Sequence, residues 1–197
     1  MSSLHRAVTT VARLLAMFGG IILSAAIVIT CLSILGRTAS TILHWDPLVA
    51  ALPGLTKWLL DIGVGPIRGD FELVEAGMAF CIFAFLPYCQ VTAGHASVDI
   101  FTSRIGPRGQ RVLSLLIELL FAVVLVVIAV QLKGGLDARI RSGQTSFLLQ
   151  FPIWWSYAAS FAAASVAAAA GVYMAGIRLA EMLAGRALIV TGEGAGH

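Results

Sequence analysis

Charged side chains are scarce in this chain. Of its 197 residues only 12% are Asp, Glu, Lys or Arg, whereas 59% are hydrophobic. A soluble domain of this length carries roughly twice that charged fraction. The formal net charge of +3 is small and spread along the chain, so it does not indicate nucleic acid as a partner. It fits the anchoring of loops at lipid headgroups. The composition therefore predicts an integral membrane protein.

Cysteines are few, and their spacing does not suit cross-linking. Cys31, Cys81 and Cys89 all lie inside apolar runs. The last two are eight residues apart, which places them about 12 Å apart along one helix, too far for a disulfide. No zinc-binding pattern is present in the sequence, and we expect all three cysteines to act as small apolar side chains.

Histidines are also few, and none falls in the middle of an apolar run. A haem-binding membrane subunit needs histidines that face each other within its spans. His95 and Asp99 are spaced to share a helical face, and we interpret them as a structural ion pair. We therefore expect no catalytic residue, no bound metal and no cofactor. A small membrane enzyme or a cytochrome-like subunit of a membrane complex is the alternative hypothesis.

Four long apolar runs dominate the chain, at approximately residues 14–35, 72–91, 112–132 and 152–177. Each has about the 20 residues that a helix needs to cross the hydrocarbon core. The first run is longer than the apolar part of a signal peptide and lacks a cleavage site after it, so we expect it to be retained. The sequence predicts an all-α, four-helix membrane protein that forms a single domain.

The connection between the first two runs has its own pattern. Leucines and an isoleucine recur there at the spacing of an amphipathic helix, and Pro53-Gly54 interrupts them. We predict an interfacial segment of two short helices at approximately residues 46–63, with Trp45 and Trp58 at the membrane surface. The segment either fills space at that surface or forms a platform for another protein. In the second case Lys57 and Arg68 are the candidate contacts.

Small residues line one stripe of the fourth run. Ser156, Ser160, Ala164 and Ala168 follow one another at steps of four. Small side chains let the backbone of a neighbouring helix approach closely, which is how membrane helices associate. The stripe predicts a helix–helix contact, although a high content of alanine also favours helix formation by itself.

Glu118 is the one acid in the middle of the third run. A carboxyl group inside the membrane is costly unless it is paired or protonated. We expect Glu118 to form a hydrogen bond with a small polar group on a neighbouring helix, with Ser160 or Ser165 as the candidates. A functional proton or ion site is the second interpretation.

Several residues at the start of the second run and in the connections after it form a recognisable pattern. Glu72 stands in its first turn, where a carboxylate suits the positive end of the helix dipole. His95, Val98 and Asp99 follow about one helix length later, and Pro152, which comes after Thr145-Ser146, begins the fourth run. This pattern resembles the small membrane (DctQ-type) subunit of tripartite ATP-independent periplasmic (TRAP) transporters.

The resemblance implies a function and a set of partners. It implies a non-catalytic scaffold in the bacterial inner membrane, paired with a large multi-span subunit that holds the sodium and substrate sites. A periplasmic binding protein would deliver the substrate, an organic acid. It also implies that both termini are cytoplasmic. Counts of Lys and Arg barely favour that orientation, with 7 on the side of the termini and 6 on the other.

Overall fold

The computed structural model describes residues 3–92 and 107–184. These residues form six α-helices and no β-strand, which confirms the predicted all-α fold. The bounds are α1 (Ser3–Leu43), α2 (Asp46–Ala51), α3 (Pro53–Asp61), α4 (Asp70–Val91), α5 (Pro107–Ser142) and α6 (Trp154–Ala184). Four of these helices, α1, α4, α5 and α6, are long and apolar enough to cross a membrane.

The four long helices form a row. α1 packs against α4, α4 packs against α6, and α6 packs against α5. α6 is thus an inner helix, and half of its most hydrophobic stretch is buried within the protein. α1 lies at one edge of the row and buries only 6% of the corresponding stretch. Two apolar clusters hold the row together, one around Phe80 and Ala84 on α4 and one around Leu125 on α5 and Ala167 on α6.

α1 contacts the rest of the protein along a narrow seam. Five of its six buried residues recur at intervals of seven: His5, Ala12, Gly19, Ala26 and Ser33. A period of seven is the signature of two helices that cross at a small angle, as in a coiled coil. Apart from His5, the seam is built from small side chains rather than leucines, so the two backbones come close. A Cβ added at Gly19 would lie 2.9 Å from the Cβ of Ala84.

The helices extend beyond the apolar runs. α1 has 41 residues and is about 60 Å long, roughly twice the thickness of the hydrocarbon core. α5 continues to Ser142, beyond residue 132, where the third apolar run ends in the sequence. Gly135 lies inside the helix, and its missing side chain makes room for the ring of Tyr157. Gly143 directly follows the last helical residue, and its φ of 61° is typical of a glycine that ends an α-helix.

The connection between α1 and α4 contains two short helices, α2 and α3. They meet at Leu52, and Pro53 begins the second one. The break predicted from Pro53-Gly54 is therefore confirmed. Most of the apolar seam of this segment faces away from the protein, since Leu52 and Leu55 are both about half exposed.

Candidate functional site

Glu72 joins α4 to the connection between α5 and α6. Its Oε1 accepts a hydrogen bond from the backbone N–H of Leu148 at 2.7 Å, and its Oε2 accepts one from Leu149 at 2.9 Å. Two successive N–H groups directed at one carboxylate form a backbone anion site. Leu149 also packs over Gly69, where a Cβ would lie 2.5 Å from its Cγ. The motif position Glu72 thus has a structural role, which is to hold this connection against α4.

The connection itself is a small hairpin formed by residues 143–153, and Pro152 is part of it. Thr145 and Pro152 form an isolated antiparallel bridge, and the N–H of Ser146 donates to the carbonyl of Phe151 at 2.9 Å. The hairpin tip presents Phe147, which is 87% exposed, to the surroundings. An apolar side chain at an exposed tip is available for contact with lipid or with another protein.

Glu118 is bonded to a partner that the sequence did not suggest. Nε2 of Gln90, on α4, donates to its Oε2 at 2.5 Å, and both side chains are buried. Neither Ser160 nor Ser165 makes this contact, because the hydroxyl of Ser165 donates to the carbonyl of Phe161 within its own helix. The Gln90–Glu118 hydrogen bond links α4 to α5, two helices that do not pack against each other along their length.

The stripe of small residues on α6 lies largely inside the row. Ser160, Ala164 and Ala168 are buried, and Ser156 is half-buried. Gly171 continues the stripe, and a Cβ there would lie 3.2 Å from Leu125 on α5. These small side chains let α6 approach both of its neighbours.

The charged side chains of the first connection point away from the protein. Lys57 and Arg68 are exposed, as are Asp46 and Asp61. Among the described residues none of these four forms a salt bridge. They are placed where a second protein could reach them.

Three motif positions, His95, Val98 and Asp99, lie outside the described residues. Within the described ranges, no group of three His, Cys, Asp or Glu side chains could hold a metal ion. His5 is buried against α6, where its Nδ1 lies 3.3 Å from the hydroxyl of Tyr173. This contact brings the beginning of α1 and the C-terminal half of α6 to the same side of the molecule.

Comparison with known proteins assigns the family. The family model described as "Tripartite ATP-independent periplasmic transporters, DctQ component" matches residues 26–181, which include α4, α5 and nearly all of α6 as well as the C-terminal part of α1. No match was found among curated proteins or among solved structures. The family is a component of a transporter rather than an enzyme. The chain belongs to the DctQ component family, the small membrane subunits of TRAP transporters.

Proposed function

We propose that this subunit is the fixed scaffold of a sodium-coupled TRAP transporter for organic acids in the bacterial inner membrane. In this proposal it binds a large multi-span subunit, which carries the sodium and substrate sites, and a periplasmic binding protein delivers the substrate. The family supports the two partners. Sodium and the organic acid come from the resemblance of the motif, and no catalytic role or cofactor is proposed for this chain.

The observation that carries the scaffold role is the uncovered surface of α1. The side opposite its seam consists of large apolar side chains, among them Ile21, Val28 and Leu35, each more than half exposed. Because α1 contacts the rest of the protein only along its seam, the described residues do not cover this opposite surface. Because lipid provides no hydrophobic driving force, a protein partner would hold α1 through shape complementarity along its length.

A pair of matched triple variants tests this docking surface. Ile21→Ala, Val28→Ala and Leu35→Ala together shorten the side chains opposite the seam but keep α1 apolar and helical. We expect recovery of the large subunit with the tagged chain to fall about tenfold or more, since lost packing contacts worth about 1.4 kcal/mol in total already lower an association constant tenfold. The control is Leu120→Ala, Val127→Ala and Val130→Ala on the exposed side of α5, which should leave recovery unchanged. If only the α5 triple variant fails to recover the large subunit, the docking surface lies on α5 rather than on α1.

Both termini are proposed to be cytoplasmic. A reporter that works only in the cytoplasm should be active when fused after His197 and inactive when inserted near Pro53 or Gln144. The reverse pattern would invert the orientation.

The proposed sodium coupling has its own test. Uptake by proteoliposomes that contain all three components should require a sodium gradient, and uptake without sodium would contradict the coupling.

A further inference from the structure

A cavity of about 590 Å³ lies between α4, α5 and α6, below the hairpin of residues 143–153. α4 contributes Glu75 and Ala79, α5 contributes Leu132 and Arg139, and α6 contributes Ser160. Its volume is in the range of small-molecule sites, which run from about 300 to 1,000 Å³. α4 and α5 do not pack against each other along their length, so no direct contact between these two helices closes the cavity.

The hydroxyl of Ser160 is the first sign that the cavity takes a ligand. Ser160 is 2% exposed, and within the described residues its Oγ has no hydrogen-bond partner. Several other hydroxyls in the long helices donate to a carbonyl of their own helix, as Ser165 does to Phe161 and Thr30 does to Ala26. A buried hydroxyl without a partner costs free energy, so a ligand acceptor within its reach would be stabilised.

Charges of both signs line the same cavity. Glu75 is exposed and forms no salt bridge within the described residues. The guanidinium of Arg139 lies 5.6 Å from the centre of the Tyr157 ring and donates to the side chain of Gln144, which fixes its position. The lower wall, with Ala79 and Leu132, is apolar. The cavity is thus polar and charged at one end and apolar at the end nearer the membrane centre.

We propose that this cavity binds the headgroup and glycerol region of a phospholipid with a primary ammonium group, a phosphatidylethanolamine. The ammonium donates to the carboxylate of Glu75, the phosphate accepts from Arg139, and Ser160 donates to an ester carbonyl of the glycerol region. The acyl chains run past Ala79 and Leu132 into the bilayer. This site does not depend on the docking surface of α1.

The choice of headgroup follows from the same residues. A choline headgroup has no N–H to donate to Glu75, and Arg139 already covers the face of Tyr157 that a quaternary ammonium would prefer. A glycerol headgroup has no cation to pair with Glu75. An ammonium that donates to a carboxylate makes a charge-assisted hydrogen bond, which is roughly twice as strong as a neutral one.

The test measures lipid retention by the purified full-length chain. The chain is reconstituted in vesicles of equal parts phosphatidylethanolamine, phosphatidylcholine and phosphatidylglycerol, re-extracted in a mild detergent and examined by native mass spectrometry. We expect phosphatidylethanolamine to be retained about tenfold over either other lipid, the ratio that a charge-assisted hydrogen bond supports. Glu75→Gln and Ser160→Ala should each reduce this preference at least severalfold, and Ala79→Phe, which fills the cavity, should abolish retention.

The control for Ser160→Ala is Ser165→Ala, which removes a hydroxyl that is bonded within α6 and does not line the cavity. It should retain lipid as the wild type does. Equal retention of the three lipids, or retention that survives Glu75→Gln and Ala79→Phe, would overturn the proposal. Loss of the lipid when the chain is purified together with the large subunit would also overturn the proposal, because a side chain of that subunit would then occupy the cavity. Retention in the presence of the large subunit supports the lipid.

Discussion

Gly19 shows how strongly a single side chain controls the packing of α1. A Cβ at this position would lie 2.9 Å from the Cβ of Ala84, closer than two such atoms come without a shift. The Sγ of Cys81 also donates to the carbonyl of Gly19 at 3.3 Å, so the contact includes a weak hydrogen bond. The approach of α1 to α4 is therefore limited by this residue.

We predict that Gly19→Ala lowers the thermal stability of the purified protein. The alanine forces α1 away from α4, and overpacking of this kind typically costs about 1–3 kcal/mol. Gly20→Ala is the matched control, because a Cβ at Gly20 meets no atom within 4 Å. Since alanine favours a helix over glycine by about 1 kcal/mol, the control should be neutral or stabilising. Equal melting temperatures for the two variants would contradict the close contact.

Gln90 and Glu118 form the second contact that depends on individual residues. We expect Gln90→Leu and Glu118→Leu each to destabilise the protein by about 1–3 kcal/mol, because each leaves the other buried polar side chain without this hydrogen bond. The double variant should cost clearly less than the sum, since both polar groups are then gone. Gln131→Leu, at an exposed position on α5, is the control. Additive losses in thermal unfolding would mean that the two residues act independently.

Glu118→Gln addresses the alternative interpretation of the same residue. An amide oxygen can still accept the hydrogen bond from Gln90, so assembly with the large subunit and transport should stay close to normal. A large loss of transport with intact assembly would instead show that the protonation state of Glu118 matters, as the proton-site or ion-site interpretation requires.

At the scale of elements, the hairpin of residues 143–153 depends on one carboxylate. We predict that Glu72→Gln speeds hydrogen exchange at the amides of Leu148 and Leu149, because the amide replaces one of the two acceptor oxygens by an NH2 group, which faces an N–H donor, and removes the negative charge. Glu75→Gln, one turn away and without a bond to the hairpin, should leave these amides protected. Unchanged exchange in Glu72→Gln would show that the hairpin holds itself in place.

The elements differ in how far the sequence determined them. Proline and glycine punctuation correctly predicted the break between α2 and α3. The extension of α5 beyond the apolar run was not predicted, and Gly135 within this extension serves a contact with the ring of Tyr157. The role of Glu72 could not be derived from its position on α4, since the two N–H groups it binds come from a hairpin 76 residues later in the chain.

At the scale of the molecule, the order of the helices in the row was not predictable from hydropathy. In a membrane protein both the lipid-facing and the buried sides of a helix are apolar, so hydrophobicity does not distinguish inside from outside. The positions of small residues distinguish the buried side of a helix from its lipid-facing side better than hydrophobicity does. The stripe on α6 indicated a helix with close neighbours, and the period of seven in small residues on α1 was present in the sequence as a signal for its seam. The Gln90–Glu118 hydrogen bond required the three-dimensional arrangement.

The first connection offers the last test of how the assembled transporter works. Its length exceeds what joining two antiparallel helices requires, which is usually about 2–8 residues. Its leucines can rest on lipid or on the large subunit while Lys57 and Arg68 remain exposed. We predict that Lys57→Glu with Arg68→Glu slows association with the periplasmic binding protein, most clearly at low salt, where the screening length is about 30 Å at 0.01 M rather than about 8 Å at 0.15 M.

The charge reversal should leave membrane insertion and pairing with the large subunit intact, because exposed charges contribute only about 0–1 kcal/mol each to stability. Asp46→Lys with Asp61→Lys is the control in the same segment: it changes the charge by the same amount in the opposite direction and should not slow association. Stopped-flow measurement of binding at several salt concentrations separates the two variants. If the Lys57 and Arg68 reversal leaves both the rate and its salt dependence unchanged, the segment only fills the membrane surface, and docking of the binding protein belongs to the large subunit.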